Sequence, residues 1–71
     1  MLKLSARNQF PGTITGIRKG VTTTHVTIDV APGVTVTAAI TNESAEELGL
    51  AVGGEAVAVI KASDVMVGTK G

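Results

Sequence analysis

Residues 22–41 have the sequence TTTHVTIDVAPGVTVTAAIT, in which apolar and polar side chains alternate on both sides of a Pro-Gly pair. Val26, Ile28 and Val30 occupy every second position before that pair, and the same spacing continues after it. This alternation places apolar side chains on one face of a β-strand, and β-branched residues favour strands. Proline presets φ and glycine accepts positive φ, so the pair at 32–33 favours a turn. The stretch therefore predicts an antiparallel hairpin.

Strands are also predicted on both sides of this hairpin. The three stretches with strand composition are residues 9–17, 55–61 and 64–67. In the first, Gly12 and Gly16 mark sites for a bend, a bulge or a close backbone approach, and Pro11 indicates a strand edge. The second is apolar on both faces, which favours a partner subunit on one of them. Short strands separated by turns are typical of a small barrel.

Residues 42–48 break the strand pattern, because they are polar and acidic and lack β-branched side chains. Asn42 is a suitable N-cap, and Ser44 with Glu47 offers a competing capping-box start. Gly49 is expected to end this segment in the left-handed conformation. The chain is therefore predicted to be all-β with one short helix.

Size and composition limit how this chain can be stabilised. It has 71 residues, 44% of them apolar and 17% charged, and no cysteine. A chain this short buries only about 60% of its unfolded surface, so its core is marginal. The lack of cysteine excludes disulfides and thiolate zinc sites, and the single histidine, His25, argues against a histidine-rich metal site. We expect part of the apolar surface to lie in subunit interfaces.

The charge balance argues against a nucleic-acid partner, and the lengths of the apolar runs argue against a membrane partner. Six basic and six acidic residues give a net charge of zero, whereas nucleic-acid-binding proteins usually carry a basic excess. Phe10 alone is too little for a base-stacking platform. No apolar run approaches the roughly 20 residues that span a bilayer, and residues 1–4 lead on without a signal-peptide core. We expect a cytoplasmic protein with no nucleic-acid and no membrane partner.

Catalytic chemistry finds little support in the sequence. His25 shares a predicted strand face with Asp29. We interpret it as a solvated or interfacial histidine and not as a catalytic one. Glu43, Glu46 and Glu47 fall in the predicted helix, where acidic residues near the start complement the helix dipole. No serine has a histidine or lysine at a spacing that predicts a dyad. We expect that the protein is not an enzyme.

Two short segments near the chain ends combine the donors that tetrahedral oxyanions require. The first precedes the first predicted strand, and the second follows the most apolar one. The candidate residues are Ser5, Arg7, Asn8, Lys61, Ala62 and Ser63. Charged donors together with hydroxyl and backbone N–H groups are suited to binding such anions. The presence of Lys61 after the most apolar strand also has another explanation, in which its side chain extends to solvent and binds no anion.

Three motifs resemble a known family. They are SARNQ at residues 5–9, AITNES at 39–44 with EELGL at 46–50, and AVIKASDVMVG at 58–68. In this order they span residues 5–68, and they are similar to the molbindin, or Mop-domain, family of TOBE-like molybdate-binding modules. The chain resembles the free-standing type, with a single Mop domain over residues 1–71.

The resemblance implies a fold, an assembly and a ligand. The fold would be a small OB-like five-stranded antiparallel barrel with one short helix at about residues 42–48. The assembly would be a homo-oligomeric hexamer, a trimer of dimers. Molybdate or tungstate would bind between subunits for intracellular storage or homeostasis, with no organic cofactor.

The resemblance also assigns residues to sites. The main anion site would consist of Ser5, Arg7, Lys61, Ala62 and Ser63, with Thr41 as an additional hydroxyl donor and Asn8 either contacting the anion or ordering the loop. A second anion site, built largely from backbone groups on a threefold axis, would lie at Lys19, Gly20, Val21, Thr22 and Thr23. We expect the main site to be shared, with residues 5–8 of one subunit closing on residues 61–63 of its neighbour.

Two other functions remain open on sequence alone. One is an OB-like module that binds single-stranded nucleic acid. The other is a purely structural oligomerisation module, in which Arg7 and Lys61 pair with acids such as Asp64 or Glu55.

Overall fold

The computed structural model describes residues 4–71 and contains one antiparallel sheet with a short helix. The elements in chain order are β1 (Asn8–Lys19), β2 (Thr23–Ala31), β3 (Val34–Thr41), α1 (Asn42–Glu47), β4 (Glu55–Ile60) and a 3₁₀ helix (Ala62–Asp64). The strand order in the sheet is β3-β2-β1-β4. The predicted all-β class with one short helix is confirmed. Residues 1–3, which begin the stretch predicted to lack a signal-peptide core, lie outside the described residues.

The central hairpin forms as its alternation predicts. Strands β2 and β3 pair antiparallel, with Val26 opposite Ala38 and Ile28 opposite Val36. Val26 and Ile28 are buried, whereas the intervening side chains are more exposed. Gly33 adopts a φ of 73° in the connecting turn, a conformation that favours glycine.

Strand β1 pairs with two different strands along its length. Its first half pairs with β4 and its second half with β2, the two ladders meeting at Thr13. The β2 register shifts between Ile14 and Gly16, which is a bulge. A Cβ on Gly12 would lie 2.3 Å from the carbonyl oxygen of Asp29, so two backbones approach closely there. Both predictions for these glycines are confirmed.

The last predicted strand is not present in the sheet. The chain after β4 turns into the 3₁₀ helix, in which the N–H of Asp64 donates to the carbonyl of Lys61 at 2.9 Å. Residues 65–71 have no regular secondary structure. The described residues therefore form four strands, and the prediction of a strand at 64–67 is wrong for the single chain because the segment has no pairing partner after this turn.

The helix starts where it is predicted to start, at Asn42, but its N-cap lies one residue earlier than predicted. Thr41, not Asn42 or Ser44, is the N-cap, and its Oγ1 accepts from the N–H of Ser44 at 3.1 Å. All three residue types can cap a helix, so composition alone did not decide between them. The predicted C-terminal end is confirmed, because Gly49 has a φ of 63° and Leu50 donates back to the carbonyl of Ala45 at 3.3 Å.

Removal of this cap gives a measurable loss of stability. We expect Thr41→Ala to lower the free energy of unfolding by about 1 kcal/mol, because one helical N–H loses its acceptor. Urea titration followed by circular dichroism measures the change. Thr41→Ser keeps the hydroxyl and should retain most of the stability, while Thr69→Ala, outside any element, serves as the matched control. A loss for Thr41→Ala equal to that of the control would contradict the capping role.

The core is as small as the chain length predicts. Its buried apolar residues are Ile14, Val26, Ile28 and Ala58. Several large apolar side chains stay exposed, among them Met66 at 94% and Val67 at 90%. None of the helices in the described residues is long and apolar enough to cross a membrane.

Candidate anion-binding site

The two end segments lie side by side because of how β1 pairs with β4. Asn8 is opposite Ile60, so the residues before β1 and those after β4 emerge at the same end of the sheet. Together they line one open depression with a volume of about 460 Å³. The lining residues are Ser5, Ala6, Arg7, Lys61, Ala62 and Ser63. A second subunit is therefore not needed to bring the two segments together.

Two amide side chains make hydrogen bonds at the start of β1. Asn8 donates from Nδ2 to the carbonyl of Ile60 at 3.2 Å, which ties the start of β1 to the end of β4. Gln9 donates from Nε2 to the carbonyl of Ala6 at 3.3 Å. Asn8 therefore holds together the two strand ends that carry the segments. Gln9, part of the SARNQ motif but not a predicted site residue, ties the preceding loop to β1.

The depression carries positive charge without a carboxylate beside it. Arg7 and Lys61 are exposed, and within residues 4–71 neither has an acidic side chain at ion-pair distance. The ion pair formed by the described residues joins Lys19 and Glu46 at 3.4 Å, and both side chains are exposed. The pairing of Arg7 or Lys61 with Asp64 or Glu55 that a structural module would use is thus not formed within one chain.

Backbone donors are also available in the second segment. The 3₁₀ helix uses the N–H groups of Asp64 and Val65 for its own hydrogen bonds. The N–H groups of Ala62 and Ser63 have no acceptor in the part of the chain that the structure describes. The depression thus combines two cationic side chains, two hydroxyls and free backbone donors, a set suited to an oxyanion.

Thr41 does not join this depression within one chain. It ends β3 and pairs with Thr23, at the opposite end of the sheet from Asn8. Its hydroxyl already accepts from the N–H of Ser44 and donates to Ser44 Oγ at 2.9 Å. The sequence motif that includes Thr41 carries no information about this separation.

The residues predicted for a second anion site do come together. Gly20, Val21 and Thr22 form the turn between β1 and β2 and line a depression of about 340 Å³. The full lining consists of Arg18, Lys19, Gly20, Val21, Thr22, Thr23 and His25. Arg18 and His25 were not assigned to this site from sequence. Their cross-strand pairing, which depends on the β1 bulge, brings them together.

The described residues offer no alternative cation site. Among residues 4–71, no group of three or more histidine, aspartate or glutamate side chains is arranged to hold a metal ion.

Known proteins share both the sequence pattern and the fold. A family model described as the TOBE domain matches residues 4–67. Molybdenum-pterin-binding protein 1 of Clostridium pasteurianum is 46% identical over 66 residues, which cover 93% of this chain and 97% of that protein.

Two solved structures have closely similar folds. An apo form of MopII from Clostridium pasteurianum has a TM-score of 0.88 and 43% identity, covering 94% of this chain and 100% of that chain. The cytoplasmic molybdate-binding protein ModG, with molybdate bound, has a TM-score of 0.87 and 43% identity, covering 92% of this chain and 46% of that one. The names of the first relative and of ModG describe binding proteins, for molybdenum-pterin and for molybdate.

Proposed function

The chain belongs to the TOBE domain family, and from that premise we propose that it binds molybdate, without altering it covalently, in the depression formed by residues 5–7 and 61–63. The convergence of Arg7 and Lys61 in one depression supports the proposal most directly. Two cations with no acidic partner in the described chain match the charge of a dianion. The names of the relatives add the identity of that anion.

Each group in the depression has a distinct part in recognition. Arg7 and Lys61 neutralise the charge of molybdate, and the guanidinium offers two parallel donors to two oxygens. Ser5 and Ser63 donate hydroxyl hydrogen bonds, and the backbone N–H of Ala62 adds a fixed donor. Selectivity over sulfate follows from the size of the cavity, since molybdate is larger at the same charge. Tungstate, with the same charge and nearly the same size, binds in the same way.

A neighbouring subunit completes the site in this proposal. The depression is open and its charged side chains are exposed, so water would screen their attraction for an anion. A covering subunit would exclude that water and strengthen each contact. The covering subunit would also supply a hydroxyl group that the single chain does not place in the depression. We assign this role to Thr41.

Several surfaces of the chain support self-association. Strands β3 and β4 are the edges of the sheet, so each presents unpaired backbone groups that can pair with another strand. Val65, Met66 and Val67 expose apolar surface beyond β4. We propose a homo-oligomer, in the form of a hexamer, whose assembly and molybdate binding stabilise each other.

The biological role that fits these properties is storage of molybdate in the cytoplasm. We propose a second site for the anion at the β1–β2 turn. It consists of Lys19, Gly20, Val21, Thr22 and Thr23. Two classes of site on each subunit would raise the amount of anion that one assembly can hold.

Titration calorimetry with molybdate, tungstate and sulfate tests the proposal. We expect molybdate and tungstate to bind with similar affinity, and sulfate to bind at least about tenfold more weakly, which is about 1.4 kcal/mol. Native mass spectrometry of the same samples should show the oligomer with bound anion. Equal and weak heats for all three anions would contradict molybdate binding.

A further inference from the structure

Asn42, the first residue of α1, ties the helix to the β1–β2 turn. Its Nδ2 donates to the carbonyl oxygens of Gly20 and Val21, at 3.0 Å each. Its Oδ1 accepts from the hydroxyl of Thr24 at 2.6 Å, and that threonine is 2% exposed. Both hydrogens of the amide nitrogen and the amide oxygen are therefore engaged, which fixes the orientation of the side chain.

The backbone of the turn is also engaged, and every carbonyl group of residues 20–23 takes part. The backbone N–H of Asn42 donates to the carbonyl of Thr22 at 3.0 Å, and the N–H of Gly20 donates to the carbonyl of Thr23 at 2.8 Å. With the two side-chain bonds, all carbonyl oxygens of residues 20–23 have a donor. In contrast, the N–H groups of Val21 and Thr22 have no acceptor within residues 4–71.

This asymmetry favours an anion over a cation. A free carbonyl oxygen repels an oxyanion, whereas a free backbone N–H donates to it. Arg18 and Lys19 line the same depression and add positive charge. The exposed Glu46 opposes them only weakly, through its 3.4 Å contact with Lys19.

We propose that Asn42 is a positioning residue for oxyanion binding at the β1–β2 turn. It occupies carbonyl oxygens of the turn, and the N–H groups of Val21 and Thr22 remain available to the anion. The inference rests on the proposed second molybdate site and adds the residue that shapes it. Asn42 does not contact the anion in this scheme. It holds the turn in the conformation that the anion recognises.

Amide chemical shifts measured during a molybdate titration test this role site by site. The signals of Val21 and Thr22 report the turn, and those of Ala62 and Ser63 report the main site. We expect Asn42→Ala to raise the apparent Kd at the turn at least tenfold and to change that of the main site less than twofold. Asn42→Asp keeps the acceptor for Thr24, loses both donors and adds a negative charge, so its effect on the turn should be larger.

Ser44→Ala is the matched control, because Ser44 lies in the same helix start and contacts Thr41 rather than the turn. It should leave the apparent Kd at the turn within twofold. Unchanged binding at the turn in both Asn42 variants would overturn the positioning role and leave the two sites intact. Loss of both sites together would show a general fold defect and also overturn it. If molybdate does not shift the signals of Val21 and Thr22 in the unmodified protein, the second site and this role of Asn42 are both ruled out. The main site is not affected by that result.

Discussion

We expect Lys61→Met to weaken molybdate binding by about tenfold to a hundredfold. The methionine keeps much of the length of the side chain but removes its charge, so one charge-assisted contact with the anion is lost. Such contacts contribute about 1.5–3 kcal/mol, and a tenfold change corresponds to about 1.4 kcal/mol. The combined variant Arg7→Met with Lys61→Met should show no binding that calorimetry detects, because both cations of the depression are gone.

Lys70→Met is the matched control for this experiment. Lys70 is also exposed, and it lies outside the depression and outside any helix or strand. Its replacement removes the same charge and should change the Kd less than twofold. Native mass measured in parallel separates anion binding from assembly. A Lys61→Met protein that loses its oligomer but binds no differently from the control would favour the purely structural module.

The hairpin and the C-terminal end of the helix show what the sequence determines by local rules. Alternation of apolar residues predicted the pairing of β2 with β3, and Gly49 predicted where α1 ends, because these features depend on a few neighbouring residues. The N-cap was wrong by one residue because Thr41, Asn42 and Ser44 are all able to cap. The side chain of Asn42 is held by the turn instead, and such tertiary contacts are not visible in local sequence.

The candidate site shows where local rules end. The donor types near Arg7 and Lys61 are visible in sequence, and the family resemblance grouped them, but their contact depends on the antiparallel pairing of Asn8 with Ile60. The same resemblance grouped Thr41 with them, although β3 carries that residue to the other end of the sheet. A motif records which residues occur together in a family and not whether one chain supplies them all.

The strand predicted at residues 64–67 failed for a related reason. Val65, Met66 and Val67 have strand composition, but a strand needs a partner, and after the 3₁₀ helix this segment pairs with no strand of the sheet. Composition therefore indicated a tendency to form a strand, but no strand forms at residues 64–67 in the single chain. The exposed apolar side chains that result agree with the proposed self-association.

The close approach of β1 to β2 gives the largest expected effect on stability. We expect Gly12→Ala to lower the free energy of unfolding by about 3 kcal/mol, at the upper end of the usual cost of inserting a methyl group into packed structure. The new Cβ would lie 2.3 Å from the carbonyl oxygen of Asp29 and 3.0 Å from Cγ2 of Ile28. The first of these neighbours is backbone, so the strand itself must shift.

Gly16→Ala provides the internal comparison, since it makes the same change in the same strand. Its Cβ would meet only Thr27, at 3.7 Å, which is ordinary contact. For a domain of this size, about 1 kcal/mol shifts the Tm by roughly 4–8 °C. Scanning calorimetry at matched protein concentration should therefore show a Tm lowered by about 12–24 °C for Gly12→Ala and by less than about 8 °C for Gly16→Ala. Equal melting temperatures for the two variants would show that the sheet relaxes around Gly12, and that the close approach does not constrain the fold.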